Sequence, residues 1–406
     1  MDEVSRRVGV NLRRLRRAQG MSLDVLAGRS GLDKSFLSRV ENGKRQLERR
    51  KHLNAVAVAL GCNISELLGE PPELVGPGAR TTNEAVPAVR RALNAYTIGH
   101  VETSGVRPMD DLRSRAAALW TARRLCDYDS LWRLLPHLIT DLQAHIVSGD
   151  EPREALRLMV EVTSAAAFAL RGIGQADLAW IASDCCKRTA EELGDPVAIG
   201  LAEFTRAQAS VLGYGYGGAL HIAEAAADRM RPVLPNDPDS LRVYGQLLLT
   251  ASWSAGIALH PERGESFLTE ALDVGVRVGD PPPVGDSWQT YFGPSNNVIW
   301  QMSIAVEAGD GGRVVELAEG ANVEVIGSKS RVAAYWTELG VGLSQVRGSE
   351  ARAIAALTTA DVVAPQRTRN NPQVRAAVSR MLDEARQRAT GRQLSTLAGK
   401  VGIALN

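Results

Sequence analysis

Apolar residues fall at helical spacing from the start of the chain. Val4, Val8, Leu12 and Leu15 sit at i, i+4, i+8 and i+11, one stripe along a helix. Arg6, Arg7, Arg13, Arg14, Arg16 and Arg17 occupy its other faces. Gly20 stands where a helix end tolerates positive φ. Ser22 then caps a second helix carrying Leu23, Val25, Leu26 and Ala27. Ser30-Gly31 makes a turn, Leu32 points inward, and Asp33 is a second N-cap. The helix that follows, Lys34 to Asn42, buries Phe36, Leu37 and Val40 and leaves Lys34, Ser35, Ser38 and Arg39 outward. Asn42-Gly43 stops it. A fourth helix is predicted over Arg49 to Leu60 and a fifth, capped by Asn63, over Ile64 to Leu68.

The pattern then breaks. EPPELVGPGARTTN, residues 70–83, holds three prolines and glycines enough to deny regular structure, so it reads as a linker. A short amphipathic helix is predicted over Val86 to Ile98. From Asp110 onward helices rich in Ala and Leu follow one another, with no alternating β-branched run. Turns are predicted near 127–129, 172–175, 213–218, 260–264, 309–312 and 347–349. Their spacing of roughly 38–48 residues is the period of stacked helical hairpins. The clearest unit is Leu170 to Pro196, closed by Gly194-Asp195-Pro196, and Val278-Gly279-Asp280-Pro281 repeats that closure. The expected fold is all-α: a five-helix domain at 1–69, a linker with one short helix at 70–109, and an α-solenoid at 110–406.

Charge sharpens this division. The net charge of the 406 residues is only +1, but residues 1–70 hold 14 Lys or Arg against 8 Asp or Glu. A basic module on a mildly acidic body is the asymmetry of a nucleic-acid reader with a second domain. Arginine outnumbers lysine 41 to 6 throughout, which reads as a compositional bias. The four cysteines, Cys62, Cys126, Cys185 and Cys186, show neither CxxC nor Cys/His ligand spacing and read as reduced thiols. MDEVSRRV lacks the apolar core of a signal peptide, and no apolar run reaches the roughly 18–20 residues of a membrane helix, so a soluble chain with no membrane partner is expected.

Leu12, Leu15, Arg16, Ser22, Leu26, Ala27, Gly31, Leu32, Phe36, Leu37, Ser38, Val40, Glu41, Asn42, Gly43, Leu53, Ala57, Leu60 and the closing ISELL carry a resemblance. In their order and spacing residues 8–69 resemble the lambda-repressor/Cro-like helix-turn-helix family, also called XRE. The family often has Gln just after the second helix's cap, where this chain has Leu23, so one phosphate contact is missing. The remainder resembles tetratricopeptide repeats with longer helices. The combination resembles bacterial cytoplasmic regulators that sense peptides or other small signals through a repeat domain. The resemblance implies double-stranded DNA and a peptide or small-molecule effector as partners, homodimerisation, and a nucleoid location when bound.

A helix in the major groove reads base edges from its exposed N-terminal face. Lys34, Ser35, Ser38 and Arg39 occupy that face, and Asn42, Lys44 and Arg45 lie past the helix end, suited to phosphates. Arg13, Arg14, Arg16, Arg17, Arg49, Arg50 and Lys51 are further phosphate candidates. In the repeats, aromatic and amide side chains on inner helices are the ligand candidates: Tyr244, Trp253, Asn296, Asn297, Trp300, Gln301 and Trp336. The six histidines are scattered, and no HExxH, GxxxxGK[ST] or GxSxG occurs. The GYGYGG stretch, Gly213 to Gly218, lies between helices rather than after a strand and makes no nucleotide cradle. No cofactor or metal is expected, and no catalytic activity. The competing reading is a scaffold whose repeat groove binds a partner protein while the N-terminal domain only localises it.

Overall fold

The computed structural model describes residues 3–47, 49–69, 79–101, 105–149, 151–233, 237–258, 260–385 and 392–403. Five helices form the N-terminal headpiece: α1 (Glu3–Ala18), α2 (Leu23–Ser30), α3 (Lys34–Glu41), α4 (Arg50–Leu60) and α5 (Ile64–Leu68). Local chemistry fixes their ends. Ser22 Oγ accepts from the Val25 amide at 3.2 Å, and Gly31 ends α2 at φ 66°. Asp33 accepts from the amides of Ser35 (2.7 Å) and Phe36 (3.1 Å), which starts α3. Asn63 and Glu66 form a capping box on α5. Val8, Leu12, Leu26, Leu37, Val40, Leu53, Val56, Leu60, Ile64 and Leu67 make the core. Gly9 lets α1 meet α3 closely, since a Cβ there would lie 2.3 Å from the Val40 carbonyl oxygen.

The body begins with α6 (Ala79–Ile98), α7 (Met109–Leu125), α8 (Tyr128–Ser148), α9 (Pro152–Gly172) and α10 (Ala176–Leu193). It continues through α11 (Pro196–Met230), α12 (Pro238–Ile257), α13 (Pro261–Val278), α14 (Pro294–Ala308) and α15 (Gly311–Glu319). It closes with α16 (Lys329–Leu343), α17 (Glu350–Val363), α18 (Pro365–Arg369), α19 (Pro372–Ala385) and α20 (Arg392–Lys400). No strand occurs among the described residues. From α7 to α13 each helix packs on the next, and α14–α15 and α16–α17 pair likewise, the arrangement of a hairpin solenoid. The predicted junctions at 127–129, 172–175, 260–264, 309–312 and 347–349 each meet a break between helices, although 128–129, 261–264 and 311–312 already belong to the helix that follows. At 194–196 a left-handed Gly194 is followed by Asp195, whose carboxylate caps α11, and by Pro196 in its first turn.

The expected turn at 213–218 is present and very tight. Within Pro196–Met230 the chain reverses at Gly215, which alone leaves helical geometry at φ 73° and ψ −172°, and the two arms lie side by side with Arg229 on Glu203 at 3.2 Å. Two features differ from the sequence reading. Helix α6 starts at Ala79 rather than Val86 and packs against α8 and α10, with Tyr96 Oη 2.6 Å from Thr189 Oγ1, so much of the expected linker belongs to the body. Residues 70–78 of that linker lie outside the described residues. After α13 the chain makes an excursion instead of a tight turn. Asp286 organises it, accepting from the amides of Trp288 (3.1 Å), Thr290 (3.0 Å) and Tyr291 (2.7 Å).

The headpiece is seated on the body. Helices α4 and α5 pack against α11 at its turn, and α4 also meets α12. The Tyr216 amide, freed by the turn, donates to Asn54 Oδ1 at 3.1 Å. Gln46 Nε2 donates to Ser379 Oγ at 2.7 Å. Arg50 reaches deepest, donating to Ser303 Oγ (3.3 Å) and Gln373 Oε1 (2.7 Å) and pairing with Glu307 at 3.3 Å. The headpiece core and the α11–α12 core are one continuous apolar cluster.

Candidate nucleic-acid interface and a cationic cavity

Helix α3 packs on α1 and α2 through Leu37 and Val40 and turns its other side to solvent. Lys34, Ser35 and Arg39 are exposed, and Ser38 is half-buried between them. Lys34 Nζ pairs with Asp24 at 2.9 Å, but both side chains are more than half exposed, so the ammonium stays available. Arg39 Nε donates to the Ser35 carbonyl at 3.2 Å, which lays the guanidinium along the helix. Asn42 caps the helix end, donating to the Ser38 carbonyl at 2.8 Å and accepting from Arg13 at 2.5 Å. Lys44 and Arg45 are exposed, and their amides both donate to the Arg39 carbonyl (2.7 and 3.1 Å), which holds the post-helix turn against α3. The hydrogen bonds from Ser35 and Phe36 hold the Asp33 carboxyl below its usual range, so the cap stays charged.

The other basic candidates divide. Arg16 and Arg13 turn onto the buried Glu41 at 2.6 and 3.3 Å and tie α1 to α3, so the Arg16–Glu41 pair is a structural brace. Arg50 points into the body, away from any duplex on α3. Arg14, Arg17 and Arg49 are exposed, and Lys51 is half-buried. Leu23 packs half-buried against the core, which accounts for an apolar residue there. A helix-turn-helix domain model matches residues 7–68.

Residues 7–68 are a helix-turn-helix domain.

No curated protein matches the chain. Among solved structures, the crystal structure of Bacillus thuringiensis PlcR in complex with the peptide PapR7 and DNA is similar at 15% identity, covering 66% of this chain and 94% of that one, with a TM-score of 0.33. In this helix-turn-helix domain α2 and α3 are the two helices of the motif, and α3 is the one that such domains place in the major groove.

Behind the domain lies a cavity of about 240 Å³. It is walled by α7, α8, α9, α11, α12, α14, α16 and α18, by the Asp286 loop, and by Arg50 from the helix-turn-helix domain itself. Of the ligand candidates read from sequence, Trp253 and Trp300 line it, edge to face at 5.8 Å between ring centres. Asn296 stands one layer back, accepting from Arg331 Nε at 2.7 Å. The others lie elsewhere. Tyr244 donates to Glu270 at 2.5 Å and accepts from Arg231, a structural network away from the cavity. Asn297 is buried against Gly275 and the Ala271 carbonyl, where it fills space between α13 and α14. Gln301 is half-buried off the lining, and Trp336 packs on Tyr335 at 5.2 Å in the C-terminal core.

The sequence reading missed the cavity's arginines. Arg50, Arg123, Arg124, Arg171, Arg331 and Arg367 all contribute to its wall, against the single lining carboxyl of Glu338. Burial pushes the guanidinium of Arg331 down to about 9 and that of Arg171 to about 10, and their arginine neighbours push the same way. Burial likewise holds the Glu338 carboxyl above its ordinary range, against the pull of Arg50. For Arg50 burial works in the opposite sense to Tyr216, Glu307 and Glu338, which together keep it charged. The indole N–H groups of Trp253 and Trp300 are buried without an acceptor, and so is Gln246 Oε1 without a donor. No group of His, Cys, Asp and Glu suited to a metal occurs among the described residues. No helix among them is long and apolar enough to cross a membrane.

Proposed function

We propose that the chain is a sequence-specific DNA-binding transcription regulator whose repeat body carries the control. The exposed face of α3 carries the reading. Lys34, Ser35, Ser38 and Arg39 form one outward surface on a helix braced from behind by Glu41, Arg16 and Arg13. Arg39 and Lys34 have the donors that recognise guanine O6 and N7, and Ser35 and Ser38 serve either base or phosphate. Asn42, Lys44 and Arg45 follow at the end of α3, where backbone phosphates pass. The site works by recognition, and no bond-making step is assigned to it. Two copies would set two α3 helices into successive major grooves, about 10–10.5 bp or a multiple apart. The cavity beneath the domain is the place for a peptide or small-molecule effector in the cytoplasm, and Trp253 and Trp300 are its apolar contacts.

The test is footprinting of the full chain on genomic fragments, beginning with its own promoter, followed by fluorescence anisotropy on the protected sequence. Arg39→Ala should weaken specific binding by roughly 5- to 150-fold, the worth of one bidentate base contact. The wild-type circular dichroism should be kept. Binding to every fragment no tighter than to random DNA would overturn the reading.

A further inference from the structure

Arg123, Arg171 and Arg331 are half-buried in the cavity wall, and a charge drawn even partly out of water needs partners. In this cavity carboxylate partners are scarce. The Arg171 guanidinium makes no hydrogen bond or ion pair among the described residues. Arg123 lies over the rings of Trp120 and Phe168, at 4.9 Å from each, with no carboxylate beside it. Among the described residues Arg331 donates to the neutral Asn296 oxygen and lies 5.8 Å from the Trp300 face, with Glu338 a carboxyl that acts on it. The two orphaned indole N–H groups face the same need for an acceptor. Guanidinium groups and the orphaned indole N–H groups outnumber the orphaned acceptors, Gln246 Oε1 and Glu338 Oε2, so the missing component is an acceptor-rich anion. Its size follows from the space. About 240 Å³ is below the usual range for a drug-sized ligand, so a compact molecule fits better than an extended peptide.

We propose that this cavity holds a compact oxyanionic small molecule, bearing carboxylate or phosphate groups, and that by engaging Arg50 together with Arg171 and Arg331 it locks the helix-turn-helix domain onto the repeat body. The proposal rests on reading the cavity as the effector site. Arg50 is the link, since it is the first residue of α4 yet lies 5.1 Å over the Trp253 ring inside the body. An anion there adds an attraction that exists only while the domain is seated, which is the differential affinity that shifts a population.

The experiment uses the full chain with two probes, citrate for carboxylates and pyrophosphate for phosphates, titrated at constant ionic strength. Thermal unfolding and amide exchange in α4 are followed. At least one probe should raise Tm saturably by about 3–6 °C. The same probe should slow exchange in α4 by roughly threefold or more. The probe that acts identifies the oxyanion. In Arg171→Gln/Arg331→Gln the empty protein should unfold at a higher temperature than wild type, because two repelling charges are gone, and the anion response should largely vanish. A variant less stable than wild type, or an equal response in both proteins, overturns the anion site. Protection confined to the cavity helices, without α4, overturns the lock. Anisotropy on DNA is run separately, so failure to bind an operator rejects the regulator reading while the anion result still stands or falls alone.

Discussion

Gly215→Ala tests how the two parts of the molecule are joined. At φ 73° and ψ −172° the position lies where only glycine rests easily, so alanine costs about 1–3 kcal/mol there. The new Cβ would also stand 2.6 Å from Asn54 Oδ1. Asn54 must retreat, and the buried Tyr216 amide then loses its acceptor, at about 1–3 kcal/mol more. The seated arrangement is therefore weakened by about 2–6 kcal/mol. The chain should respond by loosening the turn and releasing the helix-turn-helix domain, while the two arms of α11 stay paired through Glu203 and Arg229. Hydrogen exchange with mass spectrometry reads this directly. Exchange in α4 and α5 should rise by roughly 30-fold or more, while α1 to α3 keep their relative protection. Asn54→Ala alone should cost about 1–3 kcal/mol. The double variant should match Gly215→Ala rather than the sum, because one bond cannot be lost twice. Wild-type protection of α4 in Gly215→Ala, or simple additivity in the double variant, would refute the reasoning.

Further expectations follow from the same packing. Glu41→Ala removes the buried partner of Arg16 and Arg13 and should destabilise the helix-turn-helix domain by about 3–5 kcal/mol, seen as a lower urea midpoint. Gly245→Ala places a Cβ 2.0 Å from the fully buried Phe292 ring and should cost about 1–3 kcal/mol by overpacking, measured by calorimetry. Burial, with Arg49 and Lys51 adding to it, holds His52 at about 4 against an ordinary 6.5. Between those values the unfolded chain takes up a proton that the folded one refuses, so this stability is complete above pH 6.5 and drains away as pH falls towards 4. Tm should therefore drop more between pH 7 and pH 5 in wild type than in His52→Gln, and parallel profiles would exclude the assignment. Groups such as Glu307, raised by burial, titrate in both proteins and cancel in the comparison.

Local chemistry was the legible part. Ser22, Gly31, Asp33 and the Asn63–Glu66 box each act within four residues of themselves, so the ends of α2, α3 and α5 are written next to where they occur. The hairpin period was legible for a related reason, since each turn uses its own glycine, aspartate or proline. The run at 213–218 was legible as a turn, but its partner was not: the Tyr216 amide there donates to Asn54, 162 residues away, and periodicity carries no trace of such a contact. The cavity's arginines were hidden by their number. Among 41 arginines, Arg123, Arg171 and Arg331 differ only in being surrounded, and that is a property of packing. Trp253 and Trp300 were found because large aromatics on inner helices are few, whereas Tyr244 and Trp336 answered the same pattern and serve as internal packing.

The helix-turn-helix domain uses opposite sides for its two tasks. Its outward helix, with Lys34, Ser35 and Arg39, packs on α1 and α2 and meets α4 through Phe36 and His52, whereas Gln46, Arg50 and Asn54 hold the body. The two sets share no side chain. Substitutions that redirect the domain to a new target need not disturb its seat, and a changed seat need not alter the target. In the proposed function, address and control can then be altered one at a time.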